Sequence, residues 1–303
     1  MNVHLDNVNT NSSSGPNSFG RKLIKYMSKL GHTFDVNQEG HAALAFIQSS
    51  KNSHDIPLIQ RLDGIYFNTI QNYRAQNYFI EETYKKADGV VFQSNFNRDL
   101  TFKFFGPHDN YTIIHNGADV EEIERTQPFL NYPDKFSEIW CCASSWRPHK
   151  RLDDNINYFL EHAQDDTCFL IAGKTSTRFN HPRIFYLGDV EQSILYRIYK
   201  ASTHFIHLAW LDHCPNVVVD ARACGCKIIC SSSGGTREIA GPDAIVIEED
   251  EWDFQPVNLY EPPKMDFSKK VNNEWDISYN MFDVAKKYEK FIESRSRNEN
   301  SLY

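Results

Sequence analysis

Two aspartates stand eight residues apart, Asp212 and Asp220, on either side of Pro215. Pro215 falls where a helix would begin, a position that tolerates its missing N–H. That places Asp212 in the loop after a strand and Asp220 about one turn into the helix, which Cys224-Gly225 ends. Further on, Gly234-Gly235 opens a second short helix. Helix N-termini stabilise anions through their unsatisfied N–H groups and the helix dipole. Carboxylates accept hydrogen bonds from sugar hydroxyls. The spacing therefore suits a phosphorylated, hydroxyl-rich ligand, although a plain strand–helix–strand crossover would produce it too.

A second group lies at Ser144-Ser-Trp-Arg147-Pro-His-Lys150-Arg-Leu-Asp153, between a strand and a helix. Arg147, as a planar fork, and Lys150, as a point charge, can converge on one phosphate. The alternative is a solvated basic turn. In the first strand–helix loop, Gly15 permits close backbone approach to a ligand. That loop lacks the G-x-G-x-x-G spacing and the lysine of a P-loop, which argues against a nicotinamide oxidoreductase or a P-loop kinase. Arg61-Leu-Asp63-Gly64 ends a strand and reads either as a polar site or as a capping turn. His115-Asn-Gly-Ala-Asp119 reads as a turn. No H-E-x-x-H or G-x-S-x-G pattern occurs. Cys224-Gly-Cys226 is too close for the usual zinc spacing, so no metal site is expected.

The elements that must position these residues alternate, strand and amphipathic helix, nearly from end to end, which implies parallel sheets with crossover helices. Residues 117–136, acidic and carrying Pro128 and Pro133, interrupt the alternation and read as a linker. Residues 251–275 are irregular, and a helix over about 278–293 closes the chain before a polar tail. The chain has 303 residues, enough for two domains. Lys+Arg 32 against Asp+Glu 40 gives net −8, which weighs against non-specific nucleic-acid binding. The seven cysteines are odd in number and irregularly spaced. With no basic-then-apolar leader and no run of ~18 apolar residues, they point to a reduced, cytoplasmic protein without a transmembrane segment.

Taken in order, these segments resemble the retaining nucleotide-sugar glycosyltransferases of family four. That family pairs two glutamates eight positions apart, where Asp212 and Asp220 stand here. Asp220-Ala-Arg-Ala-Cys-Gly-Cys-Lys-Ile-Ile229 is similar to its helix-to-strand continuation, and Gly234-Gly-Thr-Arg-Glu-Ile239 to the following turn. Ala87-Asp-Gly-Val-Val-Phe-Gln-Ser94, Ile113-Ile-His-Asn-Gly-Ala-Asp119, Ile171-Ala-Gly173 and Tyr186-Leu-Gly188 resemble further family motifs.

The resemblance implies an α/β chain of GT-B architecture, two facing Rossmann-like domains with a cleft between them. Residues 1–135 would form the acceptor-side domain and 136–275 the nucleotide-sugar donor domain. Residues 276–303 would form a C-terminal helix crossing back to the first domain, with its polar tail.

It also implies metal-independent, retaining transfer of a sugar from a nucleoside diphosphate donor, with no cofactor beyond that substrate. The acceptor hydroxyl would belong to a glycan, a small molecule or a modified nucleic-acid base. Arg147 and Lys150 would hold the diphosphate, Asp220 the ribose and Asp212 the transferred sugar. Backbone N–H groups of His213, Cys214, Asn216 and Val217 would face the donor, and Gly15 and Gly173 would allow its close approach. Asp63 would lie on the acceptor side, near the reaction centre. Both family glutamates are aspartates here, each reaching ~1.5 Å less. The Arg–Lys spacing is three rather than the commoner five. The Asp substitutions motivate one rival reading, a non-catalytic nucleotide-sugar binding module; a further rival is a GT-B nucleotide-sugar epimerase.

Overall fold

The computed structural model describes residues 1–12, 14–35, 40–51, 55–129 and 136–296. Ser13 of the first loop, Pro133 of the expected linker, the expected boundary at 135 and the tail beyond 296 lie outside the described residues. The chain divides into two compact units. One holds residues 1–117, 254–256 and 280–303, the other residues 118–253 and 257–279.

In the first unit the order is β1 (Asn2–Asp6), α1 (Gly15–Lys29), β2 (Thr33–Asp35), β3 (Ala42–Phe46), β4 (Leu58–Leu62), α2 (Tyr73–Lys86), β5 (Gly89–Phe92), α3 (Asn95–Phe105) and β6 (Tyr111–Ile113). The six strands form one parallel sheet in the order β2-β1-β3-β4-β5-β6. β3 and β4 are buried at every position, the pattern of strands covered on both faces. Local chemistry sets the helix ends: Ser94 Oγ accepts from the Asn97 N–H at 3.1 Å to start α3, and Gly106, at φ 86°, ends it.

The second unit opens with α4 (Val120–Arg125), followed by β7 (Glu138–Ala143), α5 (Leu152–His162), β8 (Thr167–Ala172), β9 (Ile184–Gly188), α6 (Gln192–Ala201), β10 (His204–His207), α7 (Asn216–Ala223), β11 (Lys227–Ser231), α8 (Thr236–Ala240), β12 (Ile245–Ile247) and β13 (Lys270–Val271). Its sheet runs β13-β12-β11-β10-β7-β8-β9, parallel except at the β12–β13 edge. Leaving β13 aside, this is the dinucleotide-fold order in which the strand sequence reverses between β7 and β10. Ligands of such sheets bind beyond the carboxyl ends of the two strands flanking that reversal.

α4 corrects the reading of 117–136 as a linker. Asp119 caps it by accepting from the Glu122 N–H at 3.2 Å. Ile123 enters the second unit's core, and Lys200 Nζ bonds the Ile123 and Thr126 carbonyls, each at 2.7 Å. Residues 118–127, grouped with the first domain by sequence, therefore belong with the second unit.

The last helix, α9 (Met281–Arg295), returns to the first unit. Met281, Val284, Ala285, Tyr288 and Ile292 are buried against Phe19, Leu23, Tyr26 and Met27 of α1. Burying each large apolar side chain contributes about 1.5–3 kcal/mol of transfer free energy. The start of α9 lies so close to Gly117 that a Cβ there would sit 2.9 Å from the Met281 Cα. The Asn-Gly pair read as a turn thus carries a packing requirement as well.

Candidate active site

The main cluster is built on the two strands that flank the reversal in the second sheet. β7 ends at Ala143, and the chain runs through Trp146 and Arg147 into a single 3-10 turn, Pro148–Lys150, before α5. β10 ends at His207, and the following loop carries Leu211 and Asp212 toward α7. Asn155, inside α5, joins the two loops. Its amide donates to the Lys150 and Arg151 carbonyls at 3.2 and 2.9 Å, and its Oδ1 accepts from the Leu208 N–H at 3.1 Å. The Trp210 N–H adds a 2.7 Å bond to the His149 carbonyl.

These links bring Lys150 onto Asp212, 62 residues away, as an ion pair through Oδ2. The same oxygen takes a 2.9 Å hydrogen bond from His207 Nε2, while Oδ1 accepts from the His213 N–H at 3.1 Å. That backbone N–H, expected to face the donor, is instead used within the cluster. Burial alone would raise the Asp212 carboxyl, but Lys150 and the His207 hydrogen bond outweigh it and hold the group well below the usual carboxylate range. Burial also holds three neighbouring imidazoles neutral. His207 is lowered, His213 falls to about 4, and His149, with Lys150 beside it, to about 3. The cluster is thus one compensated ion pair ringed by neutral rings.

Gly234 makes the geometry possible. It has φ 75°, and a Cβ there would lie 2.4 Å from the Asp212 carbonyl oxygen. The neighbouring Gly235 N–H bonds that same oxygen at 2.8 Å.

The other expected residues fall in different places. Arg147 is exposed and lines a cavity of about 350 Å³ with Trp146, Asp153 and Thr175–Thr177. Asp220 is buried on α7, where Gln192 Nε2 donates to it at 3.3 Å. Cys214 is buried just before α7, and Asn216 and Val217 are its first residues, where backbone N–H groups have no acceptor within the helix. Gly173, at φ 101°, leaves room for the Ser144 carbonyl, which a Cβ would meet at 1.9 Å.

Asp63 and Gly15 belong to the first unit. Gly15 is the first residue of α1, after Ser14. Asp63 is ion-paired with the fully buried Arg61, and burial raises its carboxyl despite that partner. The Arg61 guanidinium also donates to Asn116 Oδ1 at 2.8 Å and to the Tyr288 hydroxyl at 3.1 Å, and lies 3.9 Å from the Phe19 ring centre. Gln93 completes the group by bonding the Asp63 carbonyl and, at 3.0 Å, the Asn116 amide.

His207, His149 and Gln192 were not singled out by sequence reasoning. One signal existed for His207: a polar residue ending a buried strand, five positions before Asp212. Among the described residues, no group of three or more His, Cys, Asp or Glu side chains is arranged to hold a metal ion, and no helix is long and apolar enough to cross a membrane.

Residues 137–255 match the family described as glycosyl transferases group 1. No curated protein matches the chain by sequence. Among solved structures, HepE of Anabaena in complex with UDP is similar at TM-score 0.67 and 11% identity, covering 97% of this chain and 100% of that one. Sucrose-phosphate synthase of Thermosynechococcus elongatus matches at TM-score 0.62 and 12% identity, covering 83% and 86%. A glycosyltransferase of Rickettsia africae matches at TM-score 0.58 and 15% identity, covering 97% and 98%. The two parallel α/β sheets are those of the GT-B fold.

Proposed function

We propose that this group 1 glycosyltransferase, dependent on a nucleotide sugar, is a retaining enzyme that holds its donor diphosphate without a metal ion. The observation that carries the reading is the Lys150–Asp212 pair, set where the strand order reverses and just ahead of the first turn of α7. A diphosphate there would meet the Lys150 ammonium and the α7 N–H groups, with Arg147 on the same turn able to swing in as a second cation. These groups stabilise charge where it grows as the sugar–phosphate bond breaks, and such contacts replace a metal ion electrostatically. Asp212, fixed by His207 and Lys150, would contact the transferred sugar, and Asp220 the ribose. HepE is described in complex with UDP, with UDP and glucose, and with UDP-glucose, which makes a UDP-sugar the first donor to test.

Retention follows if the acceptor hydroxyl attacks from the face the phosphate leaves. In the first unit the reading assigns Asp63 to an acceptor hydroxyl and Gly15 to close backbone approach by a ligand. The acceptor is a glycan, a small molecule or a modified nucleic-acid base, and net −8 disfavours the last.

The test is calorimetric titration of UDP, UDP-glucose and other nucleoside diphosphate sugars in EDTA, with donor hydrolysis measured alongside. Selective binding unaffected by EDTA, with hydrolysis lowered about 10²–10³-fold in Lys150→Ala, is expected. Absence of binding to any of them at millimolar concentration, or binding only with a divalent ion, would overturn the reading.

A further inference from the structure

Lys150 and Asp212 are each flanked by a residue in the left-handed backbone region: Arg151, at φ 52°, follows Lys150, and Leu211, at φ 55°, precedes Asp212. Neither is a glycine, so each conformation persists only where its surroundings hold it. One carboxylate is linked to both, directly to the Arg151 side chain and through Ser233 to the Leu211 backbone. Glu249 Oε1 accepts from Arg151 Nη2 at 2.6 Å. Its Oε2 accepts from the Ser231 hydroxyl and, at 2.8 Å, from the Ser233 hydroxyl. Ser233 Oγ in turn accepts from the Leu211 N–H at 3.3 Å. The guanidinium also donates to the Leu208 and Pro263 carbonyls, at 3.3 and 2.8 Å. The Arg151 and Glu249 side chains are only 1% and 7% exposed, so solvent does little to weaken the pair.

We propose that Glu249, through Arg151 on one side and Ser233 on the other, is a positioning residue that sets the Lys150 and Asp212 loops at their working separation. The proposal rests on the donor-site reading for its consequence in catalysis, while its geometry stands independently. Glu249 touches neither Lys150 nor Asp212. It holds the side chain of the residue after Lys150 and, through Ser233, the backbone N–H of the residue before Asp212, and so adds to the Asn155 and Trp210 links between the two loops.

The test reads the full chain in two ways. The hydrogen-bonded Nε2 proton of His207 on Asp212 is followed by side-chain ¹⁵N NMR, which needs no ligand. UDP affinity is followed by calorimetry. In Glu249→Ala that proton is expected to be lost to exchange, with UDP binding about tenfold weaker or more, because misplacement of this order degrades a charged site. Glu249→Asp is expected to restore neither fully, since the shorter chain cannot reach both partners. Ser233→Ala removes only the Leu211 arm and serves if Glu249→Ala does not fold; a smaller change in the same two signals is expected. A folded Glu249→Ala or Ser233→Ala protein with the His207 proton unmoved would overturn the proposal. If wild type fails to bind UDP while the His207 proton responds as described, the donor reading fails and the positioning role stands.

Discussion

Adding one methyl group at Gly234 should damage the site far more than adding one at Gly225. Both glycines have left-handed backbones, at φ 75° and 96°. A side chain in that region costs about 1–2 kcal/mol at either position. The surroundings differ. A Cβ at Gly225 has nothing within 4 Å, whereas at Gly234 it would lie 2.4 Å from the Asp212 carbonyl oxygen and 2.8 Å from the Asp212 nitrogen. These are backbone atoms, so no flexible chain end can swing aside. Restoring ordinary contact moves Asp212 by about 1 Å and strains the 2.8 Å bond from the Gly235 N–H to its carbonyl. Gly225→Ala should therefore lose about 1 kcal/mol in urea unfolding and bind UDP normally. Gly234→Ala should lose a further 1–3 kcal/mol, as overpacking does elsewhere, and bind UDP at least tenfold more weakly. Equal losses in the two variants, with equal UDP affinity, would show that the Gly234 contact does not position Asp212.

Two more consequences are open to direct measurement. Tyr288→Phe removes the hydroxyl that accepts from the buried Arg61 guanidinium, and should cost about 1.5–3 kcal/mol in urea unfolding, the range for hydrogen bonds to charged groups; a loss below 0.5 kcal/mol would mean the hydroxyl is dispensable. Acid should destabilise the protein well before its carboxylates titrate. His149 stays neutral in the fold down to about pH 3, while in the unfolded chain it charges near 6.5, so stability is lost as pH falls below 6.5. His149 alone contributes about 2 kcal/mol of loss between pH 6.5 and 5. Asp212 adds a further loss only below about pH 4, as its unfolded form takes up a proton that the folded form refuses. Urea unfolding across this range for wild type and His149→Gln should give converging curves as pH falls. Parallel curves would exclude His149 as the source.

The placement of Lys150 and Asp212 after strands was legible in the sequence, and the strand order brings those two strand ends together at one sheet edge. Other members left no such trace. His207 is one of two histidines in the four-residue strand β10, and a buried histidine at a strand end ordinarily means a satisfied core residue. The 3-10 turn that follows Arg147 and the left-handed Arg151 after it are not written in residue type. Glu249 lies far along the chain, beyond every recognised motif. α4 was hidden by acidic composition, although Asp119 and Glu122 carry the cap that starts it.

The two sheets assemble their polar groups by different routes, and the difference predicts where each is vulnerable. In the second unit, reversal of the strand order sets the β7 and β10 loops side by side, and the cluster is completed from within the same sheet. In the first unit, Arg61, Gln93 and Asn116 come from the ends of three successive strands, β4, β5 and β6. That row places a buried guanidinium under α9, where Tyr288 supplies the acceptor that the strands do not. A charge buried this completely is tolerable only while its partners remain. Formation of the Arg61–Asp63 group therefore depends on a helix that arrives more than 160 residues after Asn116, and the first unit cannot complete that group until nearly the whole chain is present.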